Sequence, residues 1–256
     1  MLNEDLSSMC KWFSHNELLL NAKKCKLILF GTKKTVKKFQ NINIHIDGCK
    51  LEIVDEFKYL GVILDKHLTW GPQLENVKTK ILRNFHVLRR TRPFIDKNIA
   101  IVLYNTMVQS YLDYCNVVWL NLNSRQVKQL QTLQNRALRL VLNVDNRYHR
   151  RNLYDELNID CIDVRVKKSL LILIFKMIHH IVPEAICTRI SFKENLYNLR
   201  NHKCILNLDK PRSSFIKNSS LYNAIKLFNT LPESLRTEND INKFTRGIAH
   251  IYPLPF

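Results

Sequence analysis

An α+β fold that is mostly α is the class this sequence predicts, and three observations carry it. Ile42, Ile44 and Ile46 alternate with Asn43 and His45, the period-2 pattern of a half-buried strand, and Asp47-Gly48 follows as a type I′ turn signal. After Trp70 the period becomes helical: Val77, Ile81, Phe85 and Leu88 make one stripe while Lys80, Arg83 and Arg90 sit on another face. Breaks at Pro93, Pro183 and Leu231-Pro232 then divide the remainder into helical lengths. The architecture expected is a small antiparallel unit over residues 1–69, a three-helix bundle over 70–145 and a C-terminal helical region over 146–256.

Element by element, residues 4–14 place Leu6, Met9, Cys10 and Phe13 on one helical face. Asn3 is the expected cap, and Glu4 and Asp5 suit the positive helix end. Lys26–Phe30 is a buried-strand candidate closed by Gly31. Seven lysines and no acid lie between Lys23 and Lys38, a stretch that reads as a solvated loop or as a phosphate-facing rim. Residues 41–64 are expected to form one antiparallel unit, with Lys50–Val54 as its second arm and Phe57–Leu64 as its last strand. The stretch Val54–Trp70, VDEFKYLGVILDKHLTW, leads into a Thr-Trp-Gly-Pro break and borders the helical half.

Six basic residues and no acid run from Lys78 to Arg92. A second helix, about Asp96 to Leu112, is capped by Asp96 and apolar nearly all round, which predicts burial between neighbours. After a tight DYCNVVW connection, Ser124 caps a third helix. Its Val127, Leu130, Ala137, Leu140 and Val141 share a face opposite Arg125, Lys128, Arg136 and Arg139. Further helices are expected over Arg151–Asn158, Asp163–Ile181, a segment opened by Ser219 or Ser220 and running to Asn229, and one capped by Asn239 or Asp240 that contains Phe244. Residues 188–220 read as irregular, with a loop at Pro211-Arg-Ser-Ser. No internal repeat is present.

Lys and Arg number 40 against 22 acidic residues, a net charge of +18, and the 46% of hydrophobic residues rules against global disorder. Such an excess favours a polyanionic partner, nucleic acid ahead of a membrane surface. The longest apolar run, Leu170–Phe175, falls far short of the about 20 residues that span a bilayer. Seven scattered cysteines without a C-x-x-C predict thiols packed as small hydrophobes in a reducing, intracellular compartment, nuclear or cytoplasmic rather than secreted.

Catalytic groupings are scarce. The acidic neighbours Glu4-Asp5, Asp55-Glu56, Asp155-Glu156 and Glu238 with Asp240 read as helix-end charges, a turn, or partners of arginine rather than metal ligands. His179-His180 with Glu184 and Cys187 reads as structural, because adjacent helical histidines point about 100° apart. Five glycines leave no place for a phosphate-cradling loop, and no G-x-S-x-G occurs. The residues themselves therefore predict no catalytic and no metal site, and a nucleic-acid surface made of Lys80, Arg83, Arg90, Arg125, Lys128, Arg136 and Arg139. The nearby aromatics Tyr59, Trp70, Phe85 and Trp119 fit a core better than a stacking platform.

Five pieces, in order, carry a family resemblance. They are W-x-x-x-N-x-L-x-L-N-x-x-K-C (Trp12 to Cys25), F-K-Y-L-G-V-I-L-D with L-T-W (Phe57 to Trp70), L-Y-N-T-M-V-Q-S-Y-L-D-Y-C with V-W (Leu103 to Trp119), L-Q-N-R-A-L-R (Leu133 to Arg139) and A-x-x-x-F-N-x-L-P-x-x-L-R (Ala224 to Arg236). Together they resemble the C-terminal third of non-long-terminal-repeat retrotransposon reverse transcriptases of the jockey-like LINE group. The resemblance implies that Asn21–Phe30 is the end of a palm, with Lys24 near the incoming nucleotide's phosphates. It implies that Phe57–Leu64 is a primer grip, with Tyr59, Leu60 and Gly61 at the primer end, and that residues 71–143 are a thumb on an RNA or RNA–DNA duplex.

The family's catalytic Mg²⁺ is held by upstream aspartates, one of them in a Tyr-x-Asp-Asp turn, and this sequence has no Asp-Asp pair. The resemblance thus implies a truncated RNA-directed DNA polymerase that binds template–primer without sequence preference and is incomplete alone, with no cofactor of its own. A palm piece without its central strands should also expose an unpaired edge and an apolar face. Phe228 stands where Trp is expected, and Gln73 near where His is frequent. The alternative is a transposon-derived, non-enzymatic helical module that binds protein.

Overall fold

The structure, a computed structural model, describes residues 2–39, 42–46, 48–119, 122–193 and 204–252. Helices make up 61% of it against a few short strands, which makes the fold α+β and mostly α. It divides into two compact units, Met1–Asn76 and Val77–Phe256.

The first unit opens with α1 (Leu2–His15). Asn3 is already inside this helix rather than capping it. Leu6 and Cys10 pack against a small cluster formed by Ile44, Ile46 and Leu51, while Met9, on the same expected face, is exposed. A 3₁₀ turn (Ala22–Lys24) leads to β1 (Lys26–Leu27). This strand is two residues long, shorter than the Lys26–Phe30 expectation. The lysine-rich stretch contains a helix, α2 (Lys33–Lys38), rather than only a loop. Thr32 caps it by accepting from Thr35 N (3.2 Å), and Val36 is its one buried residue. β2 (His45–Ile46) and β3 (Cys49–Lys50) pair antiparallel, with Ile46 opposite Cys49. Asp47 of the expected turn lies outside the described residues; Gly48 has φ +73°.

Residues 41–64 do not form a single antiparallel sheet. β4 (Glu52–Ile53) pairs in parallel with β1, and β5 (Glu56–Tyr59) pairs antiparallel with β6 (Val62–Asp65). The expected single strand Phe57–Leu64 is therefore a hairpin. Its loop is Leu60-Gly61, with φ +44° and +85°. Positive φ at both central residues is the type I′ geometry, whose twist matches that of the flanking strands.

Past the hairpin, Asp65 organises the L-T-W turn. Its buried carboxylate accepts from His67 N (3.1 Å), Thr69 N (3.0 Å) and Trp70 N (2.9 Å). These bonds hold Leu68 and Trp70 at φ +50° and +62°. Gln73, 2% exposed, accepts from Ile63 N (2.9 Å) and ties the start of α3 (Gly71–Thr91) to β6. Trp12, Leu18 and Leu19 of this unit are exposed.

In the second unit the α3 stripe Val77, Ile81, Phe85 and Leu88 is buried, as its spacing predicts. A 3₁₀ turn (Arg92–Phe94) follows. Asp96 then caps α4 (Lys97–Tyr104), accepting from Ile99 N (2.8 Å). The helix continues as a π turn (Asn105–Gln109) and α5 (Ser110–Asp113). Ala100, Tyr104, Val108 and Leu112 are buried, but Ile99 and Val102 are exposed, so this helix is not enclosed on all sides.

The connection contains α6 (Asn116–Trp119), entered through Cys115 at φ +52°. Trp119 is fully buried and donates from Nε1 to the Tyr114 carbonyl (2.8 Å). α7 (Ser124–Leu142) is capped one residue earlier than expected, by Asn123, which exchanges side-chain and backbone bonds with Gln126 in a capping box.

α8 (Arg150–Leu157) and α9 (Ile162–Ile178) pack on α7 in the same unit. α10 (Glu184–Cys187) and α11 (Ser214–Lys217) are single turns, and α11 occupies part of the expected Pro211 loop. Residues 194–203 of the stretch expected to be irregular lie outside the described residues. α12 (Ser220–Asn229), α13 (Glu233–Arg236) and α14 (Ile241–Ile251) complete the chain. Ser219 caps α12, and Asp240 caps α14 through Asn242 N and Lys243 N, both at 2.8 Å. Leu171, Ile174, Phe175, Ala224, Phe228, Phe244 and Ile248 form the core of this end. Phe228 is 1% exposed, so the large apolar body at this position is what the packing uses.

The seven cysteines form no disulfide. Cys161 and Cys187 are buried and Cys49 is exposed, so fewer are core residues than the sequence reading expects. No helix among the described residues is long and apolar enough to cross a membrane.

Candidate nucleic-acid interface

Most of the basic residues of α3 and α7 lie on the helix faces turned away from the core. On α3 the buried stripe at Val77, Ile81, Phe85 and Leu88 leaves Arg83 and Arg90 exposed. On α7 burial of Leu130, Ala137, Leu138 and Val141 leaves Arg125, Lys128 and Arg136 exposed at spacings of three and eight residues, one continuous stripe. Arg83, Arg90, Arg125 and Lys128 have no carboxylate partner among the described residues. α7 itself contains no acid, and α3 contains only Glu75.

Two of the cations lie over aromatic rings. The Arg136 guanidinium is 5.3 Å from the centre of the Phe85 ring, which joins the α7 stripe to α3. Lys80 Nζ is 5.3 Å from the Tyr111 ring. At these distances cation–π attraction holds the head group in place without neutralising it. Arg139 differs. It is half-buried, its Nη2 donates to the Tyr148 carbonyl (3.3 Å), and its Nε is enclosed, so this side chain is engaged within the fold.

The other candidates belong to the first unit. Lys24 is exposed at the end of the 3₁₀ turn. Tyr59 and Leu60 are 59% and 74% exposed at the hairpin tip, beside Gly61. Leu60 lies in the I′ loop, Tyr59 ends β5 opposite Val62, and Phe57 on the same strand is also exposed. Phe85 and Trp119 are core residues.

The acidic pairs separate on folding. Asp55 pairs with Lys66 (2.7 Å), Asp155 with Arg151 (3.6 Å) and Glu156 with Lys97 (2.9 Å). Lys97 and Tyr148 together hold the Glu156 carboxyl below its ordinary range. Asp155 therefore has its arginine, whereas its neighbour takes a lysine and a phenol.

Reading motif positions as surface chemistry missed a polar network inside the second unit. Tyr104 OH donates to Gln109 Oε1 (2.6 Å), and Gln109 Nε2 donates to Asp113 Oδ1 (2.9 Å). Asp113 holds Arg165 of α9 through both carboxylate oxygens, one accepting from Nε and the other from Nη2 (2.6 Å). From α7, Gln134 Nε2 donates to Tyr104 OH (3.1 Å) and to the Asp160 carbonyl (3.0 Å). Gln131 Oε1 accepts from Ile162 N (3.1 Å), and Tyr154 OH bonds Gln131 and Asn135. Burial pushes the Tyr104 and Tyr154 phenols well above their ordinary range. The letters L-Y-N-T-M-V-Q-S-Y-L-D-Y-C and L-Q-N-R-A-L-R thus encode the joint between α4, α5, α7 and α9 as much as any outer surface. The available signal was spacing: Gln131, Gln134 and Asn135 fall at i, i+3 and i+4 on one face.

Compared with known proteins, the chain is similar to the "Probable RNA-directed DNA polymerase from transposon BS" of Drosophila melanogaster, at 25% identity over 173 residues, 65% of this chain. The chain spans about a fifth of that relative's length, 18% by the same match. No family model matches the sequence, and no solved structure matches it. The matched stretch is a region related to a retrotransposon reverse transcriptase.

Proposed function

We propose, from this relation to a transposon RNA-directed DNA polymerase, that the chain binds template–primer duplex through a thumb-like bundle, without sequence preference, and does not polymerise alone. The observation that carries it is the stripe of exposed cations on α3 and α7 with no carboxylate partner among the described residues. Such a surface fits the regularly spaced phosphates of RNA or an RNA–DNA hybrid, where backbone contacts position without reading bases. In this reading residues 70–145 are the thumb, residues 1–69 are the end of a palm with its primer grip at Tyr59, Leu60 and Gly61, and Lys24 faces phosphate. Residues 146–256 brace the thumb through α8 and α9. The missing Asp-Asp pair supports the claim of inactivity, since two-metal phosphoryl transfer needs converging carboxylates. Exposed Trp12, Leu18 and Leu19 suit a palm piece whose apolar surface lacks its cover.

The test is affinity for an RNA–DNA hybrid as a function of salt. Five phosphate contacts give a log–log slope of about −4 to −5, and replacing Arg125, Lys128 and Arg136 by Gln lowers its magnitude by about 2–3. An unchanged slope removes α7 from the interface. In parallel, primer extension on an RNA template with Mg²⁺ should give no product, and genuine incorporation overturns the inactivity.

The exposed side chains Phe94, Ile99 and Val102 favour a second reading, a helical surface that binds protein. Absence of hybrid binding at low salt selects it.

A further inference from the structure

The sequence reads His179-His180, Glu184 and Cys187 as structural, and in the fold the two histidines have different surroundings. His179 lies against Phe175, with ring centres 4.2 Å apart, and belongs to the packing. His180 is one residue further and takes the left-handed conformation, φ +53°. There it closes the end of α9 as a Schellman turn: His180 N bonds the Met177 carbonyl (3.3 Å) and Ile181 N the Lys176 carbonyl (2.9 Å). Glycine is the usual residue at this position, because a side chain there costs about 1–2 kcal/mol. The strained turn sends the His180 imidazole toward α10, whose Glu184 and Cys187 stand three residues apart on one face.

His180 Nδ1 and Glu184 Oε2 are 3.2 Å apart, and one ligand atom from each of His180, Glu184 and Cys187 lies within 4.8 Å of the other two. Zinc bonds of about 2.0–2.3 Å at tetrahedral angles place ligand atoms roughly 3.3–3.8 Å apart. Two of the three donors are already at that spacing, and closing the rest takes a thiol shift of about 1 Å. Cys187 Sγ now donates to the Val182 carbonyl (3.3 Å). The donor set is one imidazole, one carboxylate and one thiol. Thiolate with imidazole selects zinc over the hard cations magnesium and calcium.

We infer that His180, Glu184 and Cys187 form a zinc site at the junction of α9 and α10, three-coordinate from the protein with the fourth position open to water. Binding replaces the Cys187 S–H bond by a sulfur–metal bond, and the proton leaves to solvent. The thiol is buried while the imidazole and carboxylate are 67% and 73% exposed, so the ion has an entry path from the solvent side. Its structural effect is to clamp the strained turn between two helices.

Cobalt(II), a spectroscopic stand-in for zinc, tests the site in the full chain prepared metal-free under reducing conditions. The expected result is a thiolate-to-cobalt charge-transfer band with tetrahedral visible bands, saturating at one equivalent and displaced by zinc. Cys187→Ser abolishes the charge-transfer band. His180→Ala and Glu184→Gln, on exposed side chains that do not threaten folding, each weaken binding by at least about tenfold, the low end of what even indirect support of a ligand supplies. Cys49→Ser, an exposed thiol elsewhere, leaves the spectrum unchanged. A band that survives Cys187→Ser, affinity indifferent to His180→Ala, or an octahedral spectrum without thiolate character overturns the inference. Hybrid binding and its salt slope do not enter this readout.

Discussion

Replacing Gln134 by Leu separates two meanings of the L-Q-N-R motif. Gln134 is fully buried on α7. Its amide donates to Tyr104 OH and the Asp160 carbonyl, while its carbonyl accepts from Gln131 (2.8 Å) and from Tyr154 OH (3.3 Å). Leucine has nearly the same volume, so the change removes bonding without opening a cavity. Tyr104 keeps its bond to Gln109, and Tyr154 keeps Gln131 and Asn135. The Asp160 carbonyl alone loses its side-chain donor. One orphaned acceptor at about 1–3 kcal/mol, with about 1 kcal/mol in all for the three other lost bonds, whose partners each keep another bond, gives a destabilisation of about 2–4 kcal/mol. With a urea m-value of about 2–3 kcal/mol/M, the unfolding midpoint falls by about 1 M. The salt slope of hybrid binding, measured on the folded variant, should not move. Arg136→Gln should do the reverse, lowering the slope by about 0.9 while costing at most the about 0.5–1 kcal/mol of an exposed cation–π contact. A Gln134→Leu protein with unchanged midpoint and a reduced salt slope would refute the assignment of this motif to the internal joint.

Three further outcomes follow from the geometry. Asp65→Ala strips three N–H groups of their acceptor and should cost about 2–3 kcal/mol in thermal unfolding, while Asp65→Asn, which keeps one oxygen for His67 and Thr69, falls between it and the parent; equal effects would remove Asp65 as the organiser of that turn. Leu60→Asn places a residue that tolerates positive φ in the I′ loop and should raise stability by about 1 kcal/mol, whereas a loss would mean that the leucine side chain is needed where it is. The Tyr104 and Tyr154 phenols are raised by burial, so the stability they contribute is present below the ordinary tyrosine value of about 10 and is lost as pH climbs above it, because only the unfolded chain ionises there. Melting temperature followed from neutral pH upward should fall beyond that point, and Tyr104→Phe should flatten the fall; a profile that stays flat in the parent counts against the buried phenols.

Legibility in the sequence tracked burial. The α3 stripe and the caps Asp96, Ser219 and Asp240 stand where period and side-chain chemistry predict them, because a docked helix needs a regular apolar row and a satisfied first turn. The Leu60-Gly61 loop was not legible. Leucine is a poor residue for φ +44°, so Gly61 read as a mid-strand glycine when it is the second half of a turn. α2 was hidden because only Val36 of its six residues is buried, which leaves no period to find. The parallel pairing of Lys26 with Glu52 joins strands of two residues each, too short to show any alternation. At the candidate interface the basic stripes were visible as a charge pattern, but Arg139 could not be told from Arg136 by spacing. What separates them is the Tyr148 carbonyl, nine residues along the chain, which engages one and not the other.

The π turn at Asn105–Gln109 sets the rotational phase of everything after it. A π turn is an α-helix with one residue inserted, and each residue advances a helix by about 100°. That extra step rotates the following helical turn so that Gln109 points into the core and Asp113, one turn on, faces Arg165. Removing a single residue between Asn105 and Gln109 would leave a more regular helix of higher intrinsic quality and would swing Asp113 off its arginine. The helix is thus tuned by an irregularity, and a shorter, more ideal version of the same segment is the one that fails to join α9. A change of length at this point would therefore act through angle rather than reach, in contrast to the surface loops, where an added residue changes only the span.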